Sequence, residues 1–295
     1  MRVGIVDVGA NTLRLLVAAF EDTRLVAVRE QRVQLGLGEE IERNGRISDD
    51  KLDETAKAAA TCVRRARKLG SAAVEILVTS PGRQAENGVE LVTRLADVTH
   101  APTRVLTAED EAELAWRGAV DAADDVPRTI AVCDVGGGSA QIAVGSYRTG
   151  PTWVRSVDIG SLRLTRRAFR EDPPTAGDVA RATRAIAEAF DDITPPRPDG
   201  ALAVGGTARA LRRVGGEPLG EHELAKAVDE LSVLSSRQIG QSYKVDRQRA
   251  RTITAGSLIL GEIQRRLDVP LDIGRGGLRE GAALQLLEAT VAATA

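Results

Sequence analysis

The stretch "CDVGGGSAQIAVG", residues 133–145, decides the fold. An apolar run ends on Asp134, three glycines and Ser139 follow, and a second apolar run begins, which predicts strands over 129–134 and 140–145 joined by a tight turn. Gly136, Gly137 and Gly138 lack Cβ atoms, so successive N–H groups of the turn can converge on one anion, with the Ser139 hydroxyl as a further donor. The glycines serve a tight hairpin equally well, and on this stretch alone both readings stand. A carboxylate beside a bound phosphate repels it unless a divalent cation stands between them. Mg²⁺, or Mn²⁺, takes a carboxylate together with waters and phosphate oxygens, and Asp134 is the candidate ligand.

The head of the chain repeats the pattern. In "VDVGANTLRLLVA", residues 6–18, Asp7-Val8-Gly9-Ala10-Asn11-Thr12 overlays Asp134-Val135-Gly136-Gly137-Gly138-Ser139, and Leu15 and Val17 then match Ile142 and Val144 at strand spacing. Gly9, Asn11 and Thr12 become the matching anion donors, and Asp7 a second candidate metal ligand. A duplicated hairpin implies two similar lobes, divided at the acidic loop Asp121–Pro127 into 1–125 and 126–295, whose turns face one cleft where a ligand binds. Further strands are expected at 74–79, 103–107, 201–204 and 271–273. Long helical patterns lie between them: Ser48 opens one that stops at Gly70, Thr175 with Asp178 opens another that Pro195, Pro196 and Pro198 close, and the last two run from about Arg249 to Leu267 and on from Gly277. The alternation means an α/β fold.

A base is sought in "TAEDEAELAWRGAV", residues 107–120, where Thr107 and Asp110 form a capping box. Asp110, Glu113 and Arg117 share the polar face of that helix, whereas Glu111 falls with Leu114, Ala115 and Gly118 on the apolar one. An acid on a buried face needs a partner or a task, and a general base acting on water is such a task. Arg83, expected in a turn after Pro81-Gly82 at a strand end, can reach phosphate oxygens with its planar fork. Gly205-Gly206-Thr207, at the end of another strand and the start of a helix, repeats the anion-binding logic.

Composition narrows the chemistry. The chain has 295 residues with 40 basic and 42 acidic side chains, a net charge of −2, so no global positive field draws it to nucleic acid. Two cysteines, Cys62 and Cys133, fit no metal-ligand spacing and suit a reducing cytoplasm, and Cys133 reads as a strand residue and not a nucleophile. Two histidines leave Ser-His-Asp and histidine-rich metal chemistry without support. The apolar run Leu13–Phe20, broken by Arg14, is too short for a bilayer, so no membrane association is expected.

These segments together resemble the exopolyphosphatase and guanosine pentaphosphate phosphohydrolase (Ppx/GppA) family. "DVGANTLRLLV" resembles its first phosphate loop, "TSPGRQAEN" its A-T-S-A-x-R-x-A-x-N segment, "AEDEAELAWRGA" its G-E-E-E-A-x-L-x-x-x-G segment and "DVGGGSAQ" its D-I-G-G-G-S-T-E. "GGTARAL", "ARTITAGSLIL" and "GLREGAAL" follow in family order. The resemblance implies the two-lobed, duplicated ribonuclease H-like fold of actin, sugar kinases and the Hsp70 ATPase, with an interlobe cleft. It also implies an Mg²⁺- or Mn²⁺-dependent exopolyphosphatase that clips terminal orthophosphate from polyphosphate, with Glu111 activating water, Asp134 holding metal, and Asn11, Arg83, Gly136, Gly138, Ser139 and Gly205–Thr207 lining the phosphate channel. A homodimer in the cytoplasm is implied too. Other readings are a guanosine pentaphosphate hydrolase, for which two Trp, two Tyr and three Phe offer little purine stacking, a noncatalytic polyphosphate sensor, and a sugar or acetate kinase. Two positions depart from the pattern: Gln141 stands where the family has glutamate, and Ala10 where it has serine. Longer members carry a further C-terminal domain, so a shorter phosphate channel is expected.

Overall fold

Both quoted stretches fold as antiparallel hairpins in the computed structural model, which describes residues 1–21 and 24–293. In the first half, β1 (Arg2–Val8), β2 (Thr12–Glu21) and β3 (Arg24–Gln34) form a meander. They are followed by α1 (Leu37–Asn44), α2 (Asp49–Lys68), β4 (Ala73–Val78), α3 (Ser80–Gln84), α4 (Gly88–Thr99), β5 (Thr103–Val105) and α5 (Ala108–Asp121). The second half repeats the plan with β6 (Ile130–Val135), β7 (Ala140–Ser146), β8 (Gly150–Val157), α6 (Ser161–Ala168), α7 (Ala176–Ala189), β9 (Gly200–Val204), α8 (Gly205–Gly215), α9 (Glu221–Ser232), α10 (Ser236–Tyr243), α11 (Arg247–Leu267) and β10 (Leu271–Ile273). The helix α12 (Leu278–Ala292) follows.

The first sheet has the order β3-β2-β1-β4-β5 and the second β10-β9-β6-β7-β8, the same arrangement read from its other end. The hairpin strands β1 and β6 each pair antiparallel with the next strand and parallel with the one that follows a helix. The duplication seen in two short motifs therefore covers a whole five-strand sheet twice, and the α/β class and the duplicated actin-like fold expected from the sequence are what the chain adopts.

Period-two burial builds the core around the first sheet. Val6, Val8, Ile76 and Val78 turn to a cluster containing Leu52, Cys62, Leu91 and Leu95 from α2 and α4, while Val3, Ile5 and Leu77 turn to Leu114, Ala282, Ala283 and Leu287 from α5 and α12. Cutting Ile5 or Leu77, both fully buried, back to alanine is expected to cost about 2–5 kcal/mol. In the second sheet Cys133, Val135, Ile142 and Ala203 pack against Leu211, Ile253 and Leu260 of the helices.

Four details depart from the sequence reading. The edge strands β3 and β8 were not expected: β3 is largely exposed, so it lacks an apolar signature, and β8 carries Pro151, which an edge tolerates because one side of its ladder is unpaired. The Pro81-Gly82 turn is the first turn of α3, with proline at a position whose N–H needs no partner. Helix α7 ends at Ala189, capped by Phe190, before the prolines. The single boundary at 125/126 becomes two crossings, because the compact units are Met1–Ala122 with Gly276–Ala295, and Ala123–Arg275. Glycines cause this: a Cβ on Gly118 of α5 would lie 2.1 Å from the Gly277 carbonyl, and one on Gly281 2.0 Å from the Leu114 carbonyl, so α12 docks backbone to backbone on α5. Among the described residues no helix is long and apolar enough to cross a membrane.

Candidate functional site

In the first unit β1 delivers Asp7 to the turn that follows it. The turn closes with Gly9 N donating to Thr12 O at 3.0 Å. Its carbonyls are consumed at the entry to α1, where Leu35 N and Gly36 N donate to Asn11 O and Gly38 N donates to Ala10 O. Beyond β4, Thr79 ties the neighbouring strand end to this turn, its N–H and hydroxyl both donating to Val8 O at 3.1 and 3.3 Å. Arg14 stands directly opposite Asp7 in the hairpin.

Glu111 is where the helical wheel predicted: on the buried side of α5, 4 % exposed, one turn from the helix start. Arg83 reaches it from α3, Nη2 donating to Glu111 Oε2 at 3.2 Å, while Nη1 donates to Leu106 O at 2.7 Å. The guanidinium is a clamp between the end of β5 and the carboxylate, supplying the countercharge that a buried acid requires. Two of the predicted residues are thus brought together, and Arg83 acts first on Glu111.

The second unit builds the same scaffold. Gly136 N donates to Ser139 O at 3.0 Å, closing the turn, and the start of α6 takes up the turn's acceptors: Ser161 donates from both N and Oγ to Gly136 O at 2.9 and 3.0 Å, and Leu162 N and Arg163 N donate to Gly137 O. Those contacts occupy the carbonyls of Gly136 and Gly137. The approach leaves no room for a side chain, since a Cβ on Gly160 would lie 2.4 Å from the Gly137 carbonyl carbon.

Asp134 extends to the N-terminus of α8, its Oδ1 lying 2.2 Å from where a Cβ on Gly205 would sit. Gly205, at φ +83°, is required both for its left-handed backbone and for that contact. Gly206 is partly exposed in the same helical turn. Thr207, predicted as a phosphate ligand, is fully buried, donates through Oγ1 to Val135 O at 2.9 Å and accepts from Arg249 Nη1 at 2.8 Å, so its hydroxyl is a strut of the turn. Gln141 lies opposite Asp134 and is 5 % exposed, its Nε2 donating to Ser139 Oγ at 2.8 Å and Ser156 Oγ at 3.3 Å. Cys133 is a buried free thiol whose pKa burial raises, with the neighbouring Asp134 charge adding to the effect, which removes it as a nucleophile.

Sequence reasoning passed over Arg14, Ser161, Arg163 and Arg249. Arg14 was legible as the charge that interrupts an apolar strand opposite an acid. Ser161 and Arg163 carried no signal, because their contacts with residues 136 and 137 depend on where α6 begins in space. Among the described residues no three His, Cys, Asp or Glu side chains gather as a metal cage. The donor set fits a cation that takes one carboxylate and completes its shell with water and substrate oxygens, which is how Mg²⁺ is bound beside phosphates.

The family model described as the Ppx/GppA phosphatase family matches residues 16–290. Exopolyphosphatase 1 of Mycobacterium leprae is 26 % identical over all of this chain and 92 % of its own. Exopolyphosphatase 2 of Mycobacterium tuberculosis is 30 % identical over 64 % of this chain and 62 % of its own. The crystal structure of the Aquifex aeolicus Ppx/GppA family member superposes with a TM-score of 0.83 at 24 % identity, covering 98 % of both chains, and so shares the fold.

Proposed function

The chain belongs to the Ppx/GppA phosphatase family, and we propose that it is an exopolyphosphatase, hydrolysing the terminal phosphoanhydride bond of inorganic polyphosphate. The observation that carries the reading is the pair of acid-bearing strands, each ending in a glycine turn whose carbonyls are taken up at the entry of the helix that follows. The buried Glu111, held by Arg83, adds the one carboxylate positioned as a base.

In this reading the 136–139 turn and its Ser139 hydroxyl hold oxygens of the terminal phosphoryl group, and the 9–12 turn is the second candidate anion site. Water attacks the terminal phosphorus, Glu111 accepts a proton from it, the bridging P–O bond breaks, and the shortened chain leaves with the electron pair on its new terminal oxygen. Asp134, with Asp7 as the second candidate, would hold Mg²⁺ or Mn²⁺, which when bound offsets the charge building on the phosphoryl oxygens. A reducing cytoplasm suits the two buried free thiols.

Replacing Glu111 by alanine is expected to lower phosphate release roughly 10²–10⁴-fold while polyphosphate still binds. Undiminished release in that variant would remove Glu111 from the role. Release measured side by side from long polyphosphate, short polyphosphate and guanosine pentaphosphate tests the substrate, and preference for the nucleotide would replace polyphosphate in this reading.

A further inference from the structure

We propose that Gln141 fixes the direction of the Ser139 hydroxyl, making it a donor to an anionic oxygen, so that the turn 136–139 binds a phosphate group without a divalent cation. The inference rests on reading that turn as an anion site.

Two observations carry it. The first is the polarity of one hydrogen bond. Gln141 Nε2 donates to Ser139 Oγ at 2.8 Å, and an amide nitrogen has protons to give and no lone pair to offer. Ser139 Oγ therefore accepts there, and its own proton is directed elsewhere. Among the described residues that proton has no acceptor, although Ser139 is 5 % exposed. A buried donor without a partner costs about 1–3 kcal/mol, so a hydroxyl left in that state is one that a ligand satisfies.

The second is register. Gln141 faces Asp134 on one side and Ser156 on the other, and directly opposed residues of antiparallel strands share a face with Cβ atoms roughly 4.5–5.5 Å apart. A glutamate at 141 would do two things that glutamine does not. It would accept the Ser139 proton, taking that donor from the ligand. It would also set a second carboxylate beside Asp134, and the pair would repel an incoming phosphate until a cation neutralised them. Glutamine leaves Asp134 as the one carboxylate, set against the N-terminus of α8 whose dipole offsets a single negative charge, and adds one donor to the turn, so that no cation is needed where a carboxylate pair would require one.

The test is the affinity of the full-length protein for tripolyphosphate by titration calorimetry, with EDTA and again with excess Mg²⁺. The expected result is binding in EDTA within about threefold of the Mg²⁺ value. Gln141→Glu should lose at least about tenfold in EDTA and regain most of it with Mg²⁺. Ser139→Ala, which keeps the turn but removes the proton, should lose roughly tenfold or more in EDTA in the native background and little in the Gln141→Glu background, a non-additive pair. If Gln141→Glu does not fold, as judged by its melting transition, the Ser139→Ala loss in EDTA decides. Tight binding that appears only with Mg²⁺, or equal metal-free affinities of Gln141→Glu and the native protein, overturns the inference and leaves the phosphatase site standing. No binding in either buffer overturns both.

Discussion

In the first hairpin Asp7 faces Arg14, and in the second Asp134 faces Gln141. Around that difference almost everything else is kept. Each turn is closed by its glycine N–H bonding to the carbonyl three residues on at 3.0 Å, each gives its carbonyls to the entry of the next helix, and in each the last carbonyl of the acid-bearing strand accepts a threonine hydroxyl from across the sheet, Thr79 or Thr207. The two copies therefore share a main-chain frame and differ in the charge placed against the acid. A guanidinium stands opposite Asp7, whereas a neutral amide stands opposite Asp134.

The sharpest way to break this contrast is to neutralise each acid in turn. Asp134→Asn is expected to lower turnover on the order of 100-fold, because it removes the carboxylate that would hold the cation, and Asp7→Asn only several-fold. Equal losses measured at saturating Mg²⁺ would mean that the residue opposite the acid does not decide its role.

The helix entries give a second comparison. Gly36, the residue before α1, has φ +75° and open space around its missing Cβ, whereas Gly160 before α6 has an ordinary extended backbone and no space. Gly36→Ala should cost about 1–2 kcal/mol for its left-handed conformation and leave tripolyphosphate binding unchanged. Gly160→Ala should cost roughly 1–3 kcal/mol or more by overpacking, and should also weaken binding, because the turn itself must shift. Urea unfolding and calorimetry on the two variants separate backbone strain from steric displacement, and parallel effects would erase the distinction.

A smaller difference is expected between the threonine struts. Thr207 is fully buried and also accepts from Arg249, while Thr79 is 8 % exposed with a longer hydroxyl bond to Val8 O. Thr207→Val, which leaves Val135 O and Arg249 each short of a partner, should cost about 1–3 kcal/mol of stability, and Thr79→Val about 1 kcal/mol or less. Melting temperatures of the two near-isosteric variants are the readout.

How much of this could be read from residues alone follows from the range of the forces involved. The hairpins, the duplicated motif, the capping boxes of α5 and α7 and the burial of Glu111 are local in sequence, set by side-chain period and by caps a few residues away, and all were legible. The edge strands β3 and β8 were not, because an edge is made by a neighbour's ladder and not by its own apolar pattern. Thr207 as a strut, Arg83 as the clamp on Glu111, and the hold of Ser161 on Gly136 join residues 72, 28 and 25 positions apart. No local signal encodes those pairings. The return of α12 to the first unit was written in Gly118 and Gly281, but a glycine announces only that something comes close, not what.

The smallest expected effect concerns the second helix after the edge strand in each unit. Helix α2 is capped by Ser48 accepting from Lys51 N, with a lysine at the third helical position. Helix α7 is capped by Thr175 and has Asp178 at that position, where the Thr175 N–H donates to the carboxylate at 3.1 Å. That bond, joined by the Thr175 hydroxyl, the Arg170 backbone and the Arg181 charge, holds the Asp178 carboxyl below the usual aspartate range. Folding therefore favours its ionised form, so the stabilisation is complete above the ordinary aspartate pKa of about 3.9 and is lost as pH falls through the lower folded value. Asp178→Asn should be less stable than the native protein near neutral pH, and the gap should close on acidification below about pH 4. A Ser48→Ala variant, which loses a hydroxyl bonded to both Lys51 N and the Glu40 carboxylate, is the comparison over the same interval. Urea midpoints for both variants against pH provide the measurement, and a gap for Asp178→Asn that stays constant down to pH 3 would show that the ionised Asp178 carboxylate adds nothing to its cap.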